Sequence, residues 1–268
     1  MKRFFLTLFL VTMLVSTVLG YYDYRSNIAY GGLGAKSYTS TSYGFYTNPA
    51  GLGFNKSFDL ALNYKNWWGV SELQQVILSG TYNYKNNGIG IQFGSFGNSD
   101  LYSETLLNIS YGRNIYKWIS LGASFEFLYV SIGDEFGANN TIGFDVGLVL
   151  KPAPELLIGI TGKGINGMEM ADDKLEPSLL TGIQIIPTRW YNLCLGVEKE
   201  SGKKGHFKTS QEIIFKDIIH FRSGLTGDPT SFLLGLGISY KNAIFAISYI
   251  NHPDLGGDTT FELTYTPF

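Results

Sequence analysis

The sequence predicts an all-β fold, a closed antiparallel transmembrane β-barrel of about fourteen strands. Three observations carry that prediction. Of 268 residues only 16% are charged, where about 25% is ordinary, while aromatics reach 15% and glycines number 33. From Phe58 onward, apolar side chains alternate with small or polar ones at period two. The charges inside those segments fall opposite the aliphatic and aromatic face. The same composition excludes other classes. A disordered chain is charge-rich and aromatic-poor. A helical membrane protein shows several apolar runs of about 20 residues. Cys194 is the single cysteine, so no disulfide scaffold exists. Nucleic-acid binding is not expected, because 20 basic residues face 22 acidic ones.

Residues 1–20, MKRFFLTLFLVTMLVSTVLG, have the form of a secretory signal peptide. Lys2 and Arg3 precede an apolar stretch from Phe4 to Val15, and Val18 and Gly20 prepare a cut before Tyr21. A retained anchor helix is the competing reading. No cysteine sits at the cut, which argues against a lipoprotein. Cleavage takes the formal charge from −2 to −4. Residues 21–56 are rich in Gly, Ser, Thr and Tyr and read as irregular or partly helical. Residues 57–268 form the barrel, with no linker that would split off another domain.

The strands follow in order. The first carries Phe58, Leu60, Leu62 and Tyr64 on one face, and the second, near 74–84, carries Val76, Leu78, Tyr82 and Tyr84. Ile89, Ile91 and Phe93 alternate with glycines in the third, and Leu107, Ile109 and Tyr111 define the fourth. The fifth is long, with Leu121, Phe125, Phe127 and Tyr129 opposite Gly122, Ser124 and Glu126. The sixth sets Ile142, Phe144 and Val146 against Gly143, Asp145 and Gly147. A seventh runs near 155–162 and an eighth near 178–186, separated by a polar break at 165–175. The ninth has Tyr191, Leu193, Leu195 and Val197 opposite Asn192, Cys194 and Glu198. The tenth, near 205–215, puts His206, Lys208, Ser210 and Glu212 together, and the eleventh pairs His220 with Arg222. The twelfth alternates Phe232, Leu234, Leu236 and Ile238 with small residues, and the thirteenth spans 243–250. Residues 254–258 read as a turn, and the last strand sets Phe261, Leu263 and Tyr265 against Glu262.

A soluble sandwich also alternates, so three details favour the membrane over a secreted sandwich or propeller. The polar face is Gly-rich and weakly charged, unlike a water-facing surface. Aromatics cluster near strand ends: Tyr64, Trp67, Trp68, Tyr82, Tyr84, Tyr111, Tyr116, Trp118, Tyr129, Trp190, Tyr191, Tyr240, Tyr249 and Tyr265. Such rings form interfacial girdles. Segments of roughly 9–11 residues suit a tilted strand that crosses a bilayer. In lipid every backbone group must pair, so the sheet closes. The polar face then lines the lumen, with Glu126, Asp145, Glu198, Arg222 and Glu262 as an internal hydrogen-bonded network rather than a selectivity site.

Asn48, Pro49, Ala50, Gly51 and Leu52 form a rigid turn, preceded by the Gly-rich run Gly31–Ala35. Placed before the β-segments, NPAGL resembles the FadL-like outer-membrane superfamily, most closely its short PorV/PorQ-type branch. Gly143–Leu148, Gly164-Ile165-Asn166-Gly167 and Arg222-Ser223-Gly224 are similar to passages of that branch. The resemblance implies that residues 21–56 form a Gly-rich hatch at the barrel lumen. It implies location in the cell outer membrane, contact with outer-membrane lipid, and passage of hydrophobic small molecules or anchoring of exported proteins. A purely structural or adhesive envelope barrel is the alternative. Segment 36–43 lacks the acidic residues common before this motif, and the chain has no room for the large loops of long-chain fatty-acid transporters. Phe268 is similar to a barrel assembly signal, although Pro267 interrupts its phase with Phe261, Leu263 and Tyr265.

No catalysis is expected. His206, His220 and His252 are the histidines, and no spacing ties one to a nucleophile, Ser248 beside His252 included. No cofactor or metal signature is present. Glu169, Asp172, Asp173 and Glu176 read as a solvated acidic loop, with Ca²⁺ as the competing reading.

Overall fold

The computed structural model describes residues 44–54, 58–98, 102–133, 137–170, 173–227, 230–254 and 256–267. The expected signal peptide 1–20, most of the expected hatch segment 21–56 and Phe268 lie outside the described residues. A 3-10 helix, η1 (Pro49–Phe54), precedes β1 (Asp59–Asn66), β2 (Gln74–Tyr84), β3 (Asn87–Asn98), β4 (Tyr102–Tyr116) and β5 (Ile119–Ile132). Then come β6 (Ala138–Ala153), β7 (Leu156–Lys163), β8 (Met168–Met170), β9 (Asp173–Leu175), β10 (Ser178–Thr188) and β11 (Tyr191–Glu200). The chain finishes with β12 (His206–Phe215), β13 (Ile219–Thr226), β14 (Ser231–Tyr240), β15 (Ala243–His252) and β16 (Gly256–Tyr265).

Fourteen of these strands form one closed barrel, and β8 and β9 make a separate two-stranded hairpin. Every barrel neighbour is antiparallel, and β1 closes on β16 with Leu60 opposite Tyr265. Closure pairs the edges that would otherwise present open N–H and C=O groups to lipid. Six short turns, such as 85–86 and 241–242, define one end of the barrel. The longer loops define the other. Among the described residues no helix is long and apolar enough to cross a membrane.

Period two becomes an inside–outside code. On β1, Asp59, Asn63 and Lys65 are buried while Leu60 and Leu62 are exposed. Among the described residues, 43 large apolar or aromatic side chains are exposed. A contiguous apolar belt of that size belongs in lipid. The fold is an outer-membrane-type barrel.

Some expectations change. The polar break at 165–175 contains the β8–β9 hairpin, with Met168 buried against Gly143. Just before it, the Asn166 side chain acts as a piece of strand. Its Nδ2 donates to the Ile142 carbonyl at 2.8 Å, and its Oδ1 accepts from the Phe144 N–H at 3.0 Å. This covers the edge of β6, which outruns β7. The turn read at 254–258 is shorter than expected. β16 begins at Gly256, and Asp258 is already inside it, held by Lys65 and by the Trp68 N–H. His252 ends β15 rather than sitting in a loop, and packs edge-on against Trp68. Trp67 and Tyr191 do not belong to exposed girdles, because both are buried. Trp67 turns onto Lys65 and Phe96, and Tyr191 packs beside Trp190 and donates to Gln211.

Candidate functional site

The NPAGL turn is folded into the lumen. Asn48 is the N-cap of η1: its Oδ1 accepts from the Ala50 N–H at 3.0 Å, and Pro49 takes the first helical position. A short polar acceptor satisfies an orphan N–H there, and proline has none to lose. The Asn48 Nδ2 donates to the wall, reaching the carbonyls of Leu148 and Ile160 at 3.2 and 3.4 Å. Ser120 donates to the Ala50 carbonyl at 2.6 Å, and Asn83 donates to the Leu52 carbonyl. Ala50 packs with Val149 and Leu157 at zero or near-zero exposure.

The seat is a row of four glycines. Gly88 faces Gly112, Gly112 faces Gly122, and Gly122 faces Gly147, across β3, β4, β5 and β6. A methyl group at any of them would overlap Leu52, Pro49, Ala50 or Asn48 respectively. Gly90 likewise leaves room for the Phe45 ring, and Gly53 has no space for a side chain beside Ser120. Close backbone approach, rather than backbone freedom, is what these positions require. η1 lies toward the short-turn end. Farther up, Tyr46 joins Trp67, Ile77, Phe96 and Leu106 in a buried apolar cluster.

The five predicted lumen charges separate into three braces. Glu126 and Asp145 share Lys163, at 3.5 and 3.8 Å. Lys163 also donates to the Tyr46 carbonyl at 3.3 Å and lies 3.6 Å from the Tyr46 ring centroid. Asn108 donates to Glu126, and Ser124 and the Gly164 N–H donate to Asp145. Glu198 pairs with Lys208 at 2.5 Å. Arg222 links Glu212 at 2.8 Å to Glu262 at 3.1 Å. Buried charges are tolerated only when paired and hydrogen-bonded in this way. Lys163 was not among the expected site residues, because the seventh strand is weakly patterned and charge alone does not reveal a partner on another strand.

His220 bridges Ser239, at 2.6 Å from Nε2, and Glu212, at 3.3 Å from Nδ1. The order matches a hydrolytic triad, but the shorter bond to the same carboxylate oxygen goes to Arg222 at 2.8 Å. The trio therefore acts as a cross-strand brace between β12, β13 and β14. Cys194 is buried beside Asn192. Among the described residues no group of three or more His, Cys, Asp or Glu is placed to hold a metal ion. Asp172 lies outside the described residues.

No family model matches the sequence, and a search of curated proteins finds no match. Solved structures do match in fold. The toluene transporter TodX of Pseudomonas putida superposes with TM-score 0.63 at 11% identity, covering 94% of this chain and 98% of that one. A FadL homologue of Pseudomonas aeruginosa gives 0.60 at 11% identity, covering 94% and 99%. The fold is FadL-like. The toluene transporter TbuX of Ralstonia pickettii gives 0.60 at 13% identity, covering 84% of this chain and 92% of its own.

Proposed function

We propose that this FadL-like barrel passes hydrophobic small molecules across the outer membrane, with residues 21–56 as the hatch. The carrying observation is the seating of Asn48–Gly53 on the glycine row inside the lumen. A segment held there by backbone contacts and one ammonium obstructs hydrated ions at the short-turn end. Above it, Tyr46, Trp67, Phe96 and Leu106 pack into a buried apolar cluster, which an oily solute would enter by parting these side chains. Structures of the same fold described as toluene transporters support this reading. NPAGL and the Gly143–Leu148 and Asn166-Gly167 passages support a finer placement in the short PorV/PorQ-type branch. Anchoring of exported proteins would follow from that placement. Uptake of the lipophilic dye Nile red by cells carrying the barrel tests the proposal. Uptake several-fold faster than in cells without it is expected. Equal rates would overturn it and favour a purely structural or adhesive barrel.

A further inference from the structure

The short-turn end carries a pattern that the passage of solutes does not use. Five of its six turns hold one basic residue each: Lys85, Lys117, Arg189, Lys216 and Lys241. Each is flanked by an exposed aromatic ring. The Lys85 ammonium lies 5.1 Å from the Tyr84 centroid, Lys216 lies 5.4 Å from Phe215, and Lys241 lies 5.4 Å from Tyr240. Tyr116 and Trp118 stack on either side of Lys117 in sequence, and Trp190 follows Arg189. All five cations are exposed. Among the described residues the four lysines make no ion pair, and Arg189 shares only the exposed Asp217 at 3.5 Å.

Backbone conformation adds an independent sign. Lys85, Lys216 and Lys241 have φ of 57°, 52° and 53°. That region favours glycine or asparagine. A chain with 33 glycines keeps lysine there instead. Strained conformations held by side-chain-bearing residues concentrate at sites of function. Among the described residues, the loops of the opposite end carry exposed Glu72, Glu176 and Asp254 beside Lys203 and Lys204, so the uniform positive sign belongs to the short-turn end.

We propose that the short-turn rim is a binding collar for anionic phospholipid headgroups, each aromatic ring marking the interface and each neighbouring cation taking a lipid phosphate. Interfacial rings fix depth, and a lysine near a charged leaflet attracts its phosphates. The collar would set the short-turn end in an anionic phospholipid leaflet, independently of any cargo.

The test uses the folded mature chain in mixed micelles, with retained phosphatidylglycerol and phosphatidylcholine compared by native mass spectrometry. The wild type should retain phosphatidylglycerol preferentially. The triple variant Lys85→Asn, Lys216→Asn, Lys241→Asn keeps residues that tolerate positive φ, and should lose that preference by about tenfold or more. The corresponding triple Lys→Arg variant should keep it. A wild type without preference, or an Asn variant with the preference intact, overturns the collar. If the Asn variant does not fold, salt decides on the wild type. A preference that survives about 1 M salt overturns the proposal, because screening removes surface attraction.

Discussion

Gly122 shows how much a single missing side chain can determine. It faces Gly112 and Gly147 and lies directly under Pro49 and Ala50. Gly122→Val should leave the barrel closed, since β-branched residues suit strands. It should expel η1 from its seat. We expect higher ion conductance in planar bilayers and new protease cleavage near residues 48–54, with heat-modifiable gel mobility unchanged. Unchanged conductance and protection would mean that the seat is not required. Lys163 is the second deciding residue. Lys163→Met removes the cation shared by Glu126, Asp145 and Tyr46. Breaking one partner of a buried ion cluster costs about 3–5 kcal/mol. Urea unfolding in detergent should show a loss of that order, and a loss below about 1 kcal/mol would contradict the bracing role.

The alternation of each strand is visible in the sequence, because side-chain direction reverses at every residue. The second strand, expected near 74–84, is β2 (Gln74–Tyr84), and Glu126, Asp145, Glu198, Arg222 and Glu262 are all buried. Register is another matter. Four glycines on four strands are visible singly, but their alignment into one row depends on pairings set by turn lengths and by bulges such as that between Asn114 and Tyr116. The β8–β9 hairpin was hidden for a related reason, since three-residue strands in an acidic stretch show no period. Asn166 is legible in the sequence as part of a motif, yet its role depends on β6 outrunning β7. Asn166→Ala should open that edge. Hydrogen exchange at the Phe144 amide should speed up roughly five- to tenfold, and an unchanged rate would remove the strand-mimic role.

Across the whole molecule, low charge, abundant rings and abundant glycine have one explanation. Lipid removes the need for a charged exterior, aromatic rings such as Tyr82, Trp118 and Tyr240 are exposed near strand ends, and glycines admit a second chain segment to the lumen. The mature chain should therefore require detergent and run with heat-modifiable mobility on gels. A monomer soluble in plain buffer would contradict the membrane assignment. Trp67 and Tyr191 show the limit of composition at this scale, because a ring near a strand end can turn inward when a cation or an amide waits there. The most direct test of the central claim compares the mature chain with a variant lacking residues 21–56. It measures single-channel conductance in planar bilayers together with Nile red uptake by cells. A lumen occupied by its own N-terminal segment predicts low conductance in the mature chain, a marked rise on deletion, and altered dye uptake. Equal conductance and equal uptake in the two proteins would contradict it.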